Sequence, residues 1–267
     1  MGPGNAQARR PFPQFNNVTL VAPMWGNSSY HSLNVKAEKR FSHGLNFLLN
    51  YTYSKFIDDV PSGFEVGQTS GGIQNFYNRR AEKALSGNDV RNRFVWSSVY
   101  EAPVGKGRHW LNHGFQSLIA GGWNIGFIGV LQQGSPVGLV MQTSNTNAFA
   151  PGSQRVNVLH DPTLPGSERR PERWFDTTAV LAPLQFTFGN AGRALLTGPG
   201  LVELNLSLLK NFRWGERYNV QFRTEAFNFP NHVNLDNPGR ALGSSDFGVI
   251  SSAKDPRILQ FGLKVEF

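Results

Sequence analysis

The chain has 267 residues, 39% hydrophobic, 12% aromatic and only 16% charged, with 29 glycines, 21 phenylalanines and no cysteine, a mixture that suits many strands and many turns. A net charge of +8 would fit nucleic acid or an acidic ligand. The basic residues are scattered, however (Arg9 and Arg10, Arg79 and Arg80, Arg91 and Arg93, Arg169 and Arg170), with no helical stripe or Lys/Arg block, which argues against a nucleic-acid partner.

No segment reaches the roughly 18–20 consecutive apolar residues of a spanning helix. A mean hydropathy of -0.33 is still compatible with a membrane, because barrel strands turn only every second side chain to lipid. Met1 to Arg10 holds no apolar run and hence no visible signal peptide, so the true N-terminus is expected upstream. Residues 1–29 read as the remnant of an extracellular loop.

Seven segments then follow the period-two pattern of strands. Residues 30–41 place Leu33, Val35, Ala37 and Phe41 opposite Asn34, Lys36, Glu38 and Arg40. Residues 45–57 set Leu45, Phe47, Leu49, Tyr51, Tyr53 and Ile57 against Asn46, Asn50, Thr52 and Ser54, and residues 91–102 set Phe94, Trp96 and Tyr100 against Arg91, Arg93, Ser97 and Glu101. In 122–132 Trp123, Ile125, Phe127 and Leu131 share a face, although Ile128 and Val130 blur the alternation. Residues 201–212, 217–226 and 257–267 repeat it with Val202 to Phe212, Tyr218 to Ala226 and Leu259 to Phe267 at alternate positions.

The connections alternate in length: 42–44 and 213–216 are short and 103–121 is moderate, whereas 58–90, 133–200 and 227–256 are long. Short turns at one end and long loops at the other describe an outer-membrane barrel, with turns in the periplasm and loops outside. An odd number of strands cannot close with both ends in the periplasm, so 30–267 is expected to be a partial wall whose first strand pairs with upstream residues. A charge at the bilayer midplane costs roughly 2–4 kcal/mol. The outward-parity charges, Lys39, Lys55 and Lys210, are accordingly expected near strand ends, where their stems can snorkel. Tyr30, Tyr51, Tyr53, Trp96, Tyr100, Trp123, Trp214 and Tyr218 are expected to form aromatic girdles. The inward arginines Arg91, Arg93, Arg217 and Arg223 are expected to balance Glu101, Glu203 and Glu225 in a polar lumen. The competing architecture is a soluble β-sandwich that binds carbohydrate or protein.

The chain ends Gln260-Phe-Gly-Leu-Lys-Val-Glu-Phe267. This resembles the C-terminal signal of outer-membrane proteins, in which Gln260, Gly262, Val265 and Phe267 would be recognised by the barrel-assembly machinery through strand pairing. Further segments are Gly26-Asn-Ser-Ser-Tyr-His31, Glu38-Lys-Arg-Phe-Ser-His-Gly44, Tyr51-Thr-Tyr-Ser-Lys55 with Asp58 and Asp59, Asp89-Val-Arg-Asn-Arg-Phe94, Gly122-Trp-Asn124, Phe188-Gly-Asn190 and Glu225-Ala-Phe-Asn-Phe-Pro-Asn-His232. From about Arg10 onward the chain thereby resembles the C-terminal region of TonB-dependent receptors of the Oar-like group, which carry an N-terminal carboxypeptidase-regulatory-like domain. The resemblance implies the end of a 22-stranded barrel in the outer membrane of a Gram-negative bacterium. It also implies contact with outer-membrane lipid and lipopolysaccharide, and energised passage of a bulky ligand (carbohydrate, peptide or siderophore) powered by the TonB complex through a plug. The chain departs from that pattern in having no plug, TonB box or regulatory-like domain.

Other chemistry is less well supported. His109 and His113 have a helical metal-ligand spacing but no nearby carboxylate. Gly105-Lys-Gly107 lacks the rest of a phosphate loop, and the oxygen-rich run 231–236 lacks the alternating acidic series of a calcium loop. No Gly-x-Ser-x-Gly elbow occurs. Neither enzymatic activity nor a cofactor is expected. The longest loop, 133–200, carries Arg155, Arg169, Arg170, Arg173, Trp174 and Phe175, a mixture of cations and aromatics suited to an extracellular ligand mouth.

Overall fold

The period-two segments all become strands in a computed structural model, which describes residues 1–16, 24–60, 67–69, 72–105, 110–111, 113–149, 153–214 and 218–267. We name the long strands β1 (Ser28–Ser42), β2 (Leu45–Asp58), β3 (Asn92–Glu101), β4 (Trp123–Gln132), β5 (Leu201–Trp214), β6 (Tyr218–Phe227) and β7 (Ile258–Glu266). They form one sheet in chain order, every neighbouring pair antiparallel. Ala84–Leu85 adds a short rung beyond β2. The sheet is an open wall with β1 and β7 at its edges. Because antiparallel steps reverse direction each time, the two edges run the same way.

The register keeps one apolar face continuous across the wall. Leu33 lies opposite Tyr53 and Val35 opposite Tyr51, Tyr51 opposite Phe94, and Phe94 opposite Leu131. Phe127 then meets Leu206, Leu206 meets Ala226, and Phe222 meets Leu263. A slip by one residue at any seam would turn a whole strand over. Ile128 and Val130, which blur the pattern of β4, lie on the other face beside Ser97 and Val95.

The β1–β2 turn requires glycine. His43 (φ 53°) and Gly44 (φ 78°) both adopt left-handed backbone, as a two-residue type I′ hairpin demands. A Cβ on Gly44 would come within 2.7 Å of the Glu101 carbonyl oxygen. Gly44→Ala should therefore cost about 1–2 kcal/mol, read as a lower urea midpoint; an unchanged midpoint would mean the turn relaxes freely.

Several local expectations are corrected. Tyr30 lies on the opposite face from Leu33, its ring 5.8 Å from Phe56, because strand parity and not ring chemistry fixes direction. Trp96 is mid-strand and packs on Phe127 at 4.3 Å. Lys210 does not reach out to water: only 2% of it is exposed, and its Nζ donates to the Ile119 carbonyl. Arg91 precedes β3 and stacks 5.8 Å from the Tyr53 ring centroid. On the polar face Arg223 does pair with Glu225, while Glu203 accepts from Asn205 Nδ2 at 3.1 Å. Arg217 lies outside the described residues, as does His109 of the His109/His113 pair.

The buried hydrophobic core is not in the wall. It consists of Val137, Leu139, Val156, Phe175, Ala179, Val180, Ala191 and Leu196, all within the 133–200 connection. Three short pairings tie this body together: Pro136–Val137 with Leu196–Thr197, Asn157–Val158 with Val180–Leu181, and Val140–Met141 with Ala241–Leu242 of the β6–β7 loop. A connection of that length normally lacks structure unless it builds a core of its own; this one does.

Candidate functional site

The long loops lie at one end of the wall, where they interlock. Glu82 from the β2–β3 loop is fully buried and meets Arg155 of the 133–200 loop, Nη2 to Oε1 2.7 Å. Arg155 also donates from Nη1 to the Ala81 carbonyl at 3.1 Å, and its backbone N–H reaches Gln74 Oε1 at 2.6 Å. Arg193, with no exposed surface, pairs with Asp58 at the end of β2 and donates from Nε to the Glu82 carbonyl at 3.0 Å. Of these two buried charge pairs, Asp58–Arg193 fastens the loop body to the end of β2 and Glu82–Arg155 fastens it to the β2–β3 loop. Burial pushes the Arg193 guanidinium down to about 10, which leaves it protonated at neutral pH. Burial also lowers Arg155, and the Glu82 carboxylate opposes that shift.

The six loop residues singled out in the sequence divide between interior and surface. Arg155 is 1% exposed, and Phe175 is a core side chain with its ring 5.2 Å from Phe247. Trp174 is half-buried, donating Nε1 to the Thr197 carbonyl at 3.0 Å, and carries the Arg169 guanidinium 5.6 Å above its ring. Arg169 Nε in turn donates to the Leu164 carbonyl at 2.8 Å. Arg170 and Arg173 bond each other's backbones at 3.0–3.1 Å and are exposed. From that set Arg170 and Arg173 carry their charge at the exposed surface, with Arg173 Nη2 3.5 Å from Asp176 Oδ1; Arg155 and Phe175 hold the loop body together.

The polar face of the wall is concave. Asn46, Ser97, Val99, Asn205, Ser207 and Arg223 line a groove of about 400 Å³ there. Ile128 and Phe227 line it as well, and Arg223 with Glu225 adds a paired charge. The apolar face carries a band of exposed side chains, among them Leu33 at 60%, Phe261 at 65% and Leu263 at 70%, far more than a water-facing surface of one domain normally shows.

A family model described as an outer membrane beta barrel domain matches residues 1–260. The chain belongs to that outer-membrane barrel family. Comparison with curated proteins and with solved structures gave no match. Membership places the wall in the outer membrane of a Gram-negative bacterium and assigns the exposed apolar face to lipid. The concave polar face of this outer-membrane barrel then borders the lumen, and the interlocked loops lie at its extracellular end.

The C-terminal residues sit on the wall's free edge. Gln260 pairs with Glu225, Gly262 with Arg223 and Val265 with Val220, while Phe267 follows the last strand residue and is 88% exposed. Among the described residues the strand bonds only β6, so its other edge offers backbone donors and acceptors. In the oxygen-rich run Asn231 Oδ1 accepts the Arg257 N–H at 3.0 Å, and Asn234 bonds both backbone groups of Val202 at 2.8–2.9 Å.

Sequence reading missed Glu82, Gln74 and Arg193, which do most of the joining. Only Arg193 had a signal in the sequence: the pair Asp58 and Asp59 closing a strand with no other acidic residue. One further loop carboxylate titrates unusually. The Thr178 hydroxyl and backbone N–H, with His160, hold the Asp176 carboxyl down at about 2. Its folded pKa lies below the ordinary 3.8, so its contribution is complete above that value and is lost as pH falls towards 2. Asp176→Asn should therefore remove the part of the loop's acid sensitivity between pH 4 and about 2, followed by proteolysis with an acid-active protease. An acid profile identical to wild type would rule the carboxylate out.

Proposed function

We propose that this outer-membrane barrel segment is part of a TonB-dependent, Oar-like receptor that takes part in energised passage of a bulky ligand. The observation that carries the reading is the combination of an open groove on the luminal face with an ordered, core-containing loop body at its extracellular end. A barrel that only anchors itself needs neither; a receptor needs a preorganised mouth above a wet passage. Arg170 and Arg173 are the loop cations placed to meet a ligand, and carbohydrate, peptide or siderophore chemistry would suit them. In this reading Gln260, Gly262, Val265 and Phe267 on the free β7 edge are what the assembly machinery pairs with, and TonB acts through a plug.

Genetic epistasis tests it. Disruption of the gene and depletion of TonB should abolish growth on the same members of a panel of oligosaccharides, peptides and ferric siderophores. The double deficiency should be no worse than either alone. A growth defect that adds to TonB depletion would exclude energised transport.

A further inference from the structure

The connection from β3 to β4 is not a tight turn. It folds back through a helix, α1 (Gly114–Ala120), and the side chains beneath decide which side of the wall it occupies. Lys210 is in register with Trp123 and Phe222 on the lipid-facing side. Its Nζ donates to the Ile119 carbonyl in the last turn of α1, 4.9 Å from the Trp123 ring and 4.7 Å from the Phe212 ring. The Trp123 indole donates to the same carbonyl at 3.0 Å. Two donors rooted in the lipid-facing side thus hold the end of α1, so the helix lies outside the wall and not in the lumen.

Local backbone chemistry makes this possible. Gly105 (φ 106°) presses against the backbone of Gly121, where a Cβ on either would collide. The Gly105 N–H reaches the Trp110 carbonyl at 2.9 Å and the Gly121 N–H the Ser117 carbonyl at 3.0 Å. The segment exposes four large apolar side chains, Trp110 at 69%, Leu111 at 48%, Phe115 at 74% and Ile119 at 55%, beside the polar His113 and Gln116. Phe115 and Ile119, four apart, share one helix face. In water this surface would be a liability. At the periplasmic end of a lipid-facing wall it continues an interface that already exists. The sequence 102–122 carries Lys106 and Arg108 and no carboxylate, a charge balance that favours anionic headgroups.

We infer that this connection is a membrane-surface anchor: α1 lies in the headgroup layer of the periplasmic leaflet, with Phe115 and Ile119 at the acyl boundary of phospholipid. The lipid-facing tryptophan and lysine lock the helix in that plane, which would fix the height of the wall in the bilayer. The inference stands on the barrel family and the lipid-facing geometry, independently of any transport role.

The absence of cysteine makes the test clean. Single variants Phe115→Cys, Gln116→Cys and Ile119→Cys, with Leu206→Cys on the lipid-facing wall as reference, are nitroxide-labelled in the full chain. They are then reconstituted in phosphatidylethanolamine vesicles containing a minority of phosphatidylglycerol. Collision with dissolved oxygen and with an aqueous nickel chelate is measured. Positions 115 and 119 should favour oxygen several-fold over 116, at a depth of about 5–10 Å. Adding Lys210→Met should bring both towards the aqueous value while Leu206→Cys stays lipid-like. Equal water access at 115, 116 and 119 would overturn the anchor, as would a label that neither collider reaches, since protein would then cover the face. An aqueous reading at Leu206→Cys would overturn the lipid interface itself and the anchor with it.

Discussion

Glu82→Ala is expected to unfasten the extracellular loop body while the strands stay paired. The substitution leaves the Arg155 guanidinium, 1% exposed, without its counter-charge. Breaking a buried pair from one side costs about 3–5 kcal/mol, because the remaining ion can be neither hydrated nor neutralised cheaply. The loss should be local: Glu82 holds the 133–200 loop to the β2–β3 loop, and no strand of the wall depends on it for pairing. Amide hydrogen exchange reads this directly. Protection at 154–158 and 191–196 should fall by about a hundredfold or more, with protection in β3 to β6 unchanged. Glu82→Gln combined with Arg155→Met removes both charges, keeps an acceptor for the Gln74 N–H, and should recover most of the protection, since no uncompensated buried charge is left. Unchanged exchange in Glu82→Ala would mean that core packing around Phe175 holds the body without the charges.

Leu206→Arg and Ile128→Arg should differ sharply although the residues are close neighbours on adjacent strands. Leu206 lies opposite Phe127 and Ala226 on the lipid-facing side, and arginine there costs about 2–4 kcal/mol if the site is near the bilayer midplane. Ile128, 54% exposed on the luminal face, should tolerate arginine within about 0.5 kcal/mol. Urea unfolding from vesicles followed by tryptophan fluorescence gives the comparison. A lower midpoint for Ile128→Arg than for Leu206→Arg would invert the faces and reject the assignment of lipid and lumen.

The Leu206 and Ile128 pair also marks where sequence patterning stops being sufficient. In β5 every second residue from Val202 to Leu208 is apolar and the residues between are Glu, Asn and Ser, so the period fixes strand, face and register together. In β4 the run from Ile125 to Leu131 is apolar on both parities apart from its glycines, and only pairing with β3 and β5 determined that Ile128 faces the lumen. Lys210 shows the same limit from the other side. Its parity correctly put it on the lipid-facing side, but its fate depended on a helix folding over it from a connection with no strand pattern to read.

By itself, then, the sequence determined the seven strands, their antiparallel order and the continuous apolar band. It also separated short turns from long loops, because these follow from near-neighbour chemistry repeated at period two. Tertiary structure alone decided that the 133–200 loop is a folded body with the chain's hydrophobic core, riveted by Glu82–Arg155 and Asp58–Arg193. Those partners lie 73 and 135 residues apart, and burial is what gives such pairs their value. A charge whose partner is that distant looks, in sequence, like any other residue of a polar loop.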